Sequence, residues 1–192
     1  MIIWINGAFG SGKTTAAYEL RRRLPNSFLY DPEQIGYFLR KHTPPQMQKD
    51  DFQHYELWRK FNVDMLTQFS KHYSGVIIVP MTIVDEQYFN EIITALKING
   101  INLYHFSLLA SRETLLKRLR HRGHSKHSWP AKQIDRCITS LSKDSFGQHI
   151  DTEHLRPEEV IEHIALTCKL SLLKDDRGLI KKRFDRLLLR YK

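Results

Sequence analysis

Eight residues near the start of the chain, Gly7-Ala8-Phe9-Gly10-Ser11-Gly12-Lys13-Thr14, constrain its fold more than any other stretch. They fit G-x-x-x-x-G-K-[ST], a glycine turn that cradles phosphates between a strand and a helix. The flanks agree with that context. Ile2-Ile3-Trp4-Ile5 is a short apolar run suited to a buried strand. The stretch 15–24 sets Ala16, Ala17, Leu20 and Leu24 on one helical face. The spacing has a direct physical reason. A triphosphate needs many donors converging on it with no side chain in the way. Gly7, Gly10 and Gly12 allow the tight turn that presents main-chain N–H groups. The loop from Gly7 to Thr15, with Ala8, Phe9 and Ser11 between the glycines, is therefore the expected nucleotide-binding stretch. The helix that begins near Lys13 adds the positive end of its dipole. Lys13 is expected to reach the β- and γ-phosphates, and the Thr14 hydroxyl to ligate Mg²⁺.

The rest of the chain alternates apolar strand-like runs with amphipathic helix-like ones, the pattern of a parallel sheet with crossover helices. Strands are expected at 2–6, 27–30, 76–79, 102–109 and 148–150. Helices are expected at about 13–24, 32–41, 54–72, 85–99, from 112 into a basic segment, at 131–141 and at 157–170, with a polar loop at 42–53. The expected architecture is a three-layer α/β domain of kinase type over residues 1–173, with a parallel sheet of about five strands and a lid at about 119–130. A basic amphipathic helix follows in 174–192. No apolar run approaches the ~20 residues that a membrane-spanning helix needs. The first strand is expected to start at residue 2, and no signal peptide is expected before it. Cys137 and Cys168 fall in helix-like patterns without metal-ligand spacing, as buried thiols in a cytosolic protein would.

In an open parallel sheet, ligands bind beyond the carboxyl ends of the strands. That rim holds the glycine loop, Asp31, Pro80-Met81 and Asp151-Thr152. Asp31 follows an apolar strand. It could hold Mg²⁺ through water, take the proton of an attacking hydroxyl, or cap the helix opened by Pro32. The third strand ends in Pro80-Met81, without the acid that a nucleotide hydrolase commonly keeps there. This suits a small kinase that holds Mg²⁺ through Thr14, phosphate and water. Asp85 is more simply a helix cap.

The net charge of +9 is unevenly placed. Residues 117–127 hold five Lys/Arg and no acid, and residues 178–192 hold six against Asp185 alone. Arg118 and Arg122 are four apart and share a helix face. Arginine stabilises the charge that spreads over a transferring phosphoryl group, so the first basic segment reads as a lid closing over nucleotide. Arg136 offers one more phosphate contact or a surface ion pair. His121, His124 and His127 lack regular zinc geometry. No nucleic-acid module accompanies the basic cluster, which ranks nucleic acid last among the partners. Tyr37, Phe38, Phe52, Tyr55, Trp58 and Phe61, interleaved with Arg40, Asp50, Asp51 and Arg59, form the expected acceptor wall, with at least half of the aromatics in the core. In the tail, Ile180, Phe184, Leu187, Leu188 and Tyr191 make one apolar stripe, with the cations mostly off it. Such a helix either rests on an anionic membrane surface or docks on its own domain.

Taken together, these residues resemble the ATP-binding tunicamycin-resistance proteins, small P-loop proteins of nucleoside-kinase type. The likeness runs through 2–14, Tyr30-Asp31-Pro32-Glu33, 49–53, Val79-Pro80-Met81-Thr82-Ile83-Val84, 113–120 and 132–137, and so spans nearly the whole chain. Val-Pro-Met-Thr-Ile-Val is its most particular segment. The resemblance implies a cytosolic protein that binds ATP and the nucleoside antibiotic tunicamycin. It implies peripheral attachment to the inner face of the membrane through the C-terminal helix. By analogy with the wider P-loop kinases that this family resembles, Arg118 is expected near adenine and Arg122 near phosphate. Two functions from different classes follow. One is an ATP-dependent phosphotransferase acting on a hydroxyl of a nucleoside- or sugar-containing antibiotic; the other is a protein that sequesters the drug without modifying it.

Overall fold

A computed structural model describes residues 1–189. Tyr191 of the expected stripe and the cations Arg190 and Lys192 lie outside the described residues. Five strands form one sheet: β1 (Ile2–Gly7), β2 (Ser27–Leu29), β3 (Val76–Pro80), β4 (Leu103–Leu109) and β5 (His149–Asp151). The order is β2-β3-β1-β4-β5 and every pairing is parallel. β1 is central, with Trp4 opposite Val79 on one side and His105 on the other.

Because alternate side chains of a strand point to opposite faces, β1 supplies two cores. Ile2 and Trp4 pack with Trp58, Leu66, Phe89 and Phe146, under α3 (Glu56–His72), α4 (Glu86–Ile98) and α7 (Ile134–Leu141). Ile3 and Ile5 pack with Ala16, Leu20, Val160 and Ile164, under α1 (Lys13–Arg23) and α8 (Pro157–Thr167). This is the three-layer arrangement that the alternating pattern predicts. The 42–53 stretch is less plain than the sequence suggests. It carries short 3₁₀ turns at Pro45–Met47 and Phe52–His54. The second turn is held against α2 (Pro32–His42) by its aromatic ring, since a Cβ on Gly36 would come within 2.4 Å of Phe52 Cγ.

Beyond β4 lie α5 (Arg112–His121) and a short α6 (Trp129–Lys132). The chain ends, among the described residues, with α9 (Leu179–Leu188), which packs in an unusual sense. No residue of α9 is buried, and Leu179, Ile180, Phe184, Leu187 and Leu188 are between 44% and 86% exposed. Its charged face turns inward instead. Arg177, just before the helix, is paired with Glu19 of α1, with Asp175 at 2.8 Å and with Asp185 at 2.8 Å. Arg186 joins Glu19 at 3.0 Å to Glu158 of α8 at 2.7 Å, and Lys182 joins Glu158 at 3.4 Å to Asp175 at 3.1 Å. Arg22 closes the set on Asp185 at 3.4 Å. No helix among the described residues is long and apolar enough to cross a membrane.

Candidate active site

The order β3-β1-β4 places the turn after β1 at the point where crossovers leave in opposite directions, the usual crevice of such sheets. Gly10 and Gly12 have φ of +88° and +103°, in the left-handed region where side chains are strained. A Cβ on Gly7 would meet Ser11 Oγ at 2.4 Å and the Leu108 carbonyl at 2.9 Å, so the loop closes only with glycine there. Gly12 caps α1 without any side-chain hydrogen bond, and the first turn of α1 holds no acid. Its leading amides and dipole end therefore face the loop unscreened. Ser11 Oγ is buried and has no partner among the described residues, so it too is a donor facing this loop. Lys13 Nζ donates to the Ala8 carbonyl at 3.1 Å and stands 5.5 Å from the Phe9 ring. Burial lowers its pKa to about 8, against the pull of Cys137 and Glu33 and with a further push from Arg122. Thr14, beside it, is exposed. The loop thus sets the unscreened start of α1, the Lys13 ammonium and the exposed Thr14 next to one another.

Two cavities open on either side of this loop. The first, about 190 Å³, is lined by Gly10, Gly12, Thr15, Arg118, Arg122 and Pro157. Arg118 is fixed within it, donating to the Thr152 carbonyl at 2.5 Å and hydroxyl at 3.1 Å. The second cavity, about 390 Å³, lies beyond Phe9 and holds Glu33, Tyr37, Asp51, Trp129 and Arg136 on its walls. Phe9 and Trp129 meet edge to face across its mouth, 5.2 Å between ring centres.

A family model described as an AAA domain matches residues 2–143. The solved structure of the tunicamycin resistance protein of Deinococcus radiodurans is 34% identical, covers 91% of this chain and 99% of its own, and superposes with a TM-score of 0.78. The chain belongs to the tunicamycin-resistance protein family.

Two further structures share the fold at low identity. The APS kinase of Mycobacterium tuberculosis, in complex with AMPPNP and APS, is 13% identical, with a TM-score of 0.60 over 88% of this chain and 96% of its own. Shikimate kinase from Acinetobacter baumannii, in complex with shikimate, is 18% identical, with a TM-score of 0.56 over 88% of this chain and 93% of its own. No curated protein matches the chain in sequence.

In this family member, Arg118 and Arg122 line one cavity with the glycine loop, while Arg136 lines the other. Asp31 caps α2, accepting from the Glu33 amide at 3.0 Å and from Gln34 Nε2 at 3.2 Å, so both of its oxygens are engaged. Asp85 caps α4 through the Tyr88 amide at 3.0 Å. Of the aromatic wall, Trp58 is core, Tyr37 and Phe52 line the larger cavity, and Phe38 and Phe61 are exposed away from the core.

Two residues escaped the sequence reading. Glu33 lines the larger cavity and accepts from the Tyr37 hydroxyl at 3.0 Å. Burial raises its pKa, and the hydrogen bond from Tyr37 works against that. The signal was present, because Glu33 and Tyr37 are four apart and share a helix face. Thr82 is the other. Its hydroxyl donates to the Gly7 carbonyl at 2.8 Å, inside the family's most particular segment. Next to it, buried Asn6 accepts from the amides of Gly7 and Ile83 at 2.8 and 3.1 Å and donates to the Ile83 carbonyl at 2.8 Å.

Proposed function

We propose that this tunicamycin-resistance family member is an ATP-dependent phosphotransferase acting on a hydroxyl of a nucleoside- or sugar-containing antibiotic such as tunicamycin. The observation that carries the reading is a pair of cavities flanking the glycine loop, one lined by Gly10, Gly12 and Arg118 and the other by Phe9 and Glu33. Bound Mg-ATP supplies the phosphoryl group. The loop amides from Gly7 to Thr15 and Lys13 hold its phosphates, and the Thr14 hydroxyl, with Asp31 through water, holds Mg²⁺. Arg118 sits against the base, and Arg122 meets phosphate charge. Glu33 takes the proton of the acceptor hydroxyl as the new oxygen–phosphorus bond forms, the bond to the bridging oxygen breaks and ADP leaves. Its raised pKa keeps it a better base than an ordinary carboxylate, and activity falls in acid as Glu33 gains a proton.

The test is mass spectrometry of tunicamycin after incubation with the protein and Mg-ATP. A gain of one phosphate is the expected result. Unchanged drug that is retained only with ATP would replace transfer by sequestration. Glu33→Gln is expected to slow transfer ~10²–10⁴-fold, the worth of a positioned general base, with ATP-analogue affinity kept. Equal turnover in the variant would remove Glu33 from the mechanism.

The exposed stripe on α9, flanked by outward Lys181 and Arg183, supports attachment to an anionic lipid surface. Replacing Ile180 and Phe184 by Glu is expected to abolish flotation with vesicles of phosphatidylglycerol and phosphatidylcholine. Undiminished flotation would assign the stripe another role.

A further inference from the structure

Thr82 faces both halves of the site at once. Its hydroxyl donates to the carbonyl of Gly7, the first residue of the glycine loop. Its own carbonyl accepts from Gln53 Nε2 at 3.0 Å, and Gln53 belongs to the 3₁₀ turn Phe52–His54 on the wall of the larger cavity. The chain of bonds continues. The Gln53 carbonyl accepts from Arg59 Nη1 at 2.6 Å. Arg59 is paired with Glu91 of α4 and lies 4.1 Å from the centre of the Tyr88 ring, itself part of that wall.

The two ends of this chain differ in how firmly they are held. Gly7 is gripped on both sides, its amide by Asn6 and its carbonyl by Thr82, at the end of the buried strand β1. The turn 52–54 buries none of its residues. Its ties to the body include the Phe52 ring on Gly36 and against Trp58, the His54 ring against Tyr88, the Gln53 side-chain amide on Thr82, and Arg59 on the Gln53 carbonyl. A weakly buried segment held by few bonds opens readily, and each bond added to it lowers the open population.

We propose that Thr82 is a positioning residue: it couples occupation of the glycine loop to closure of the acceptor wall at residues 50–54. Nucleotide in the loop acts on the chain that follows the held Gly7 carbonyl, Thr82 carries that change to Gln53, and the acceptor wall is drawn to a set distance from the phosphates. Transfer between two bound molecules depends on their spacing to within about an ångström, which gives such a tie its use. The proposal rests on the nucleotide reading of residues 7–15.

The experiment compares amide hydrogen exchange in residues 48–56 with and without Mg-AMPPNP, alongside calorimetric titration of AMPPNP. In the wild type, the analogue should slow exchange of this segment about tenfold, the effect of one strengthened hydrogen bond. Thr82→Val keeps the branched shape and loses the hydroxyl. It should bind AMPPNP with affinity within about threefold of the wild type, as one tie remote from the phosphates implies, while residues 48–56 no longer respond. Thr82→Ser should restore the response. Gln53→Ala, cutting the chain one bond further on, should lose it as Thr82→Val does, and serves should the Val variant melt early. A wild-type segment indifferent to AMPPNP, or a Val variant that responds fully, would overturn the proposal. Failure of the nucleotide reading is seen separately, as no calorimetric binding to the wild type.

Discussion

Lys13→Ala is expected to lose about a hundredfold in affinity for Mg-AMPPNP, the worth of two charge-assisted contacts at ~1.5 kcal/mol each. The same change should leave the fold intact and slightly raise its melting temperature. Both outcomes follow from one fact. Lys13 is drawn into the protein, where burial lowers its pKa to about 8 and its ammonium donates to the Ala8 carbonyl. On the proposed reading, the charge is held there for phosphate at a cost to the folded chain. The sign follows from the proton count. An unfolded lysine keeps its proton to about pH 10.4, so between pH 8 and that value the unfolded chain binds more protons and stability rises with pH. Below pH 8 the folded state carries the full cost, which alanine removes. Phosphate needs the ammonium, so wild-type affinity should hold steady below pH 8 and fall about tenfold per pH unit above it. That fall should be missing in the variant. Calorimetric titration across pH, with a thermal melt at each point, reads all three. Undiminished affinity in Lys13→Ala would detach the lysine from phosphate.

Arg177→Met is expected to free the tail. Arg177 is 9% exposed and faces Glu19, Asp175 and Asp185. Taking one partner from a buried ion pair costs about 3–5 kcal/mol, because the charges left behind stay buried and unpaired. The chain can avoid that cost by letting α9 go, since no apolar residue of α9 is buried. Release returns Glu19 and Asp175 to water. Amide exchange in residues 174–189 should therefore quicken about a hundredfold, the factor that ~3 kcal/mol represents, while the sheet keeps its protection. High salt should act in the same direction on the wild type. Acid should too. Asp175, Asp185 and Glu158 have pKa values lowered, chiefly by their hydrogen bonds to Arg177 and Arg186 against the pull of burial. Their contribution is present above the ordinary carboxylate range and is lost as pH falls below it. Unchanged tail exchange in Arg177→Met would show that α9 is held by something other than these pairs.

What the sequence makes legible here is what is written locally. The glycine loop, the apolar run before it and the helix after it are contiguous, and each of the five strands announces itself by its own residues. Asp85, Ser111 and Pro157 mark helix starts by local chemistry, and each stands where it should: Asp85 accepts from the Tyr88 amide, Ser111 from the Thr114 amide, and Pro157 opens α8. Asp31 drew attention because it ends a strand, but the same position makes it the cap of α2, and Glu33, two residues on, turns toward the cavity instead. Thr82 was visible only as part of a distinctive segment, because its partner Gly7 is 75 residues away. The tail shows the limit most plainly. Its stripe is readable in 178–192, yet which face turns inward is decided by Glu19 and Glu158, acids on helices far away in the chain.

The central place of β1 has a consequence for synthesis. Its neighbours are β3 and β4, and the last register partner of Gly7 is Leu108. The glycine turn leaves the ribosome early, but one of its walls arrives roughly a hundred residues later, a delay on the order of 5–20 s at ordinary elongation rates. A nascent chain halted before β4 has the motif and no crevice. Under the proposed function, nucleotide would favour the native fold only after Leu108 has emerged.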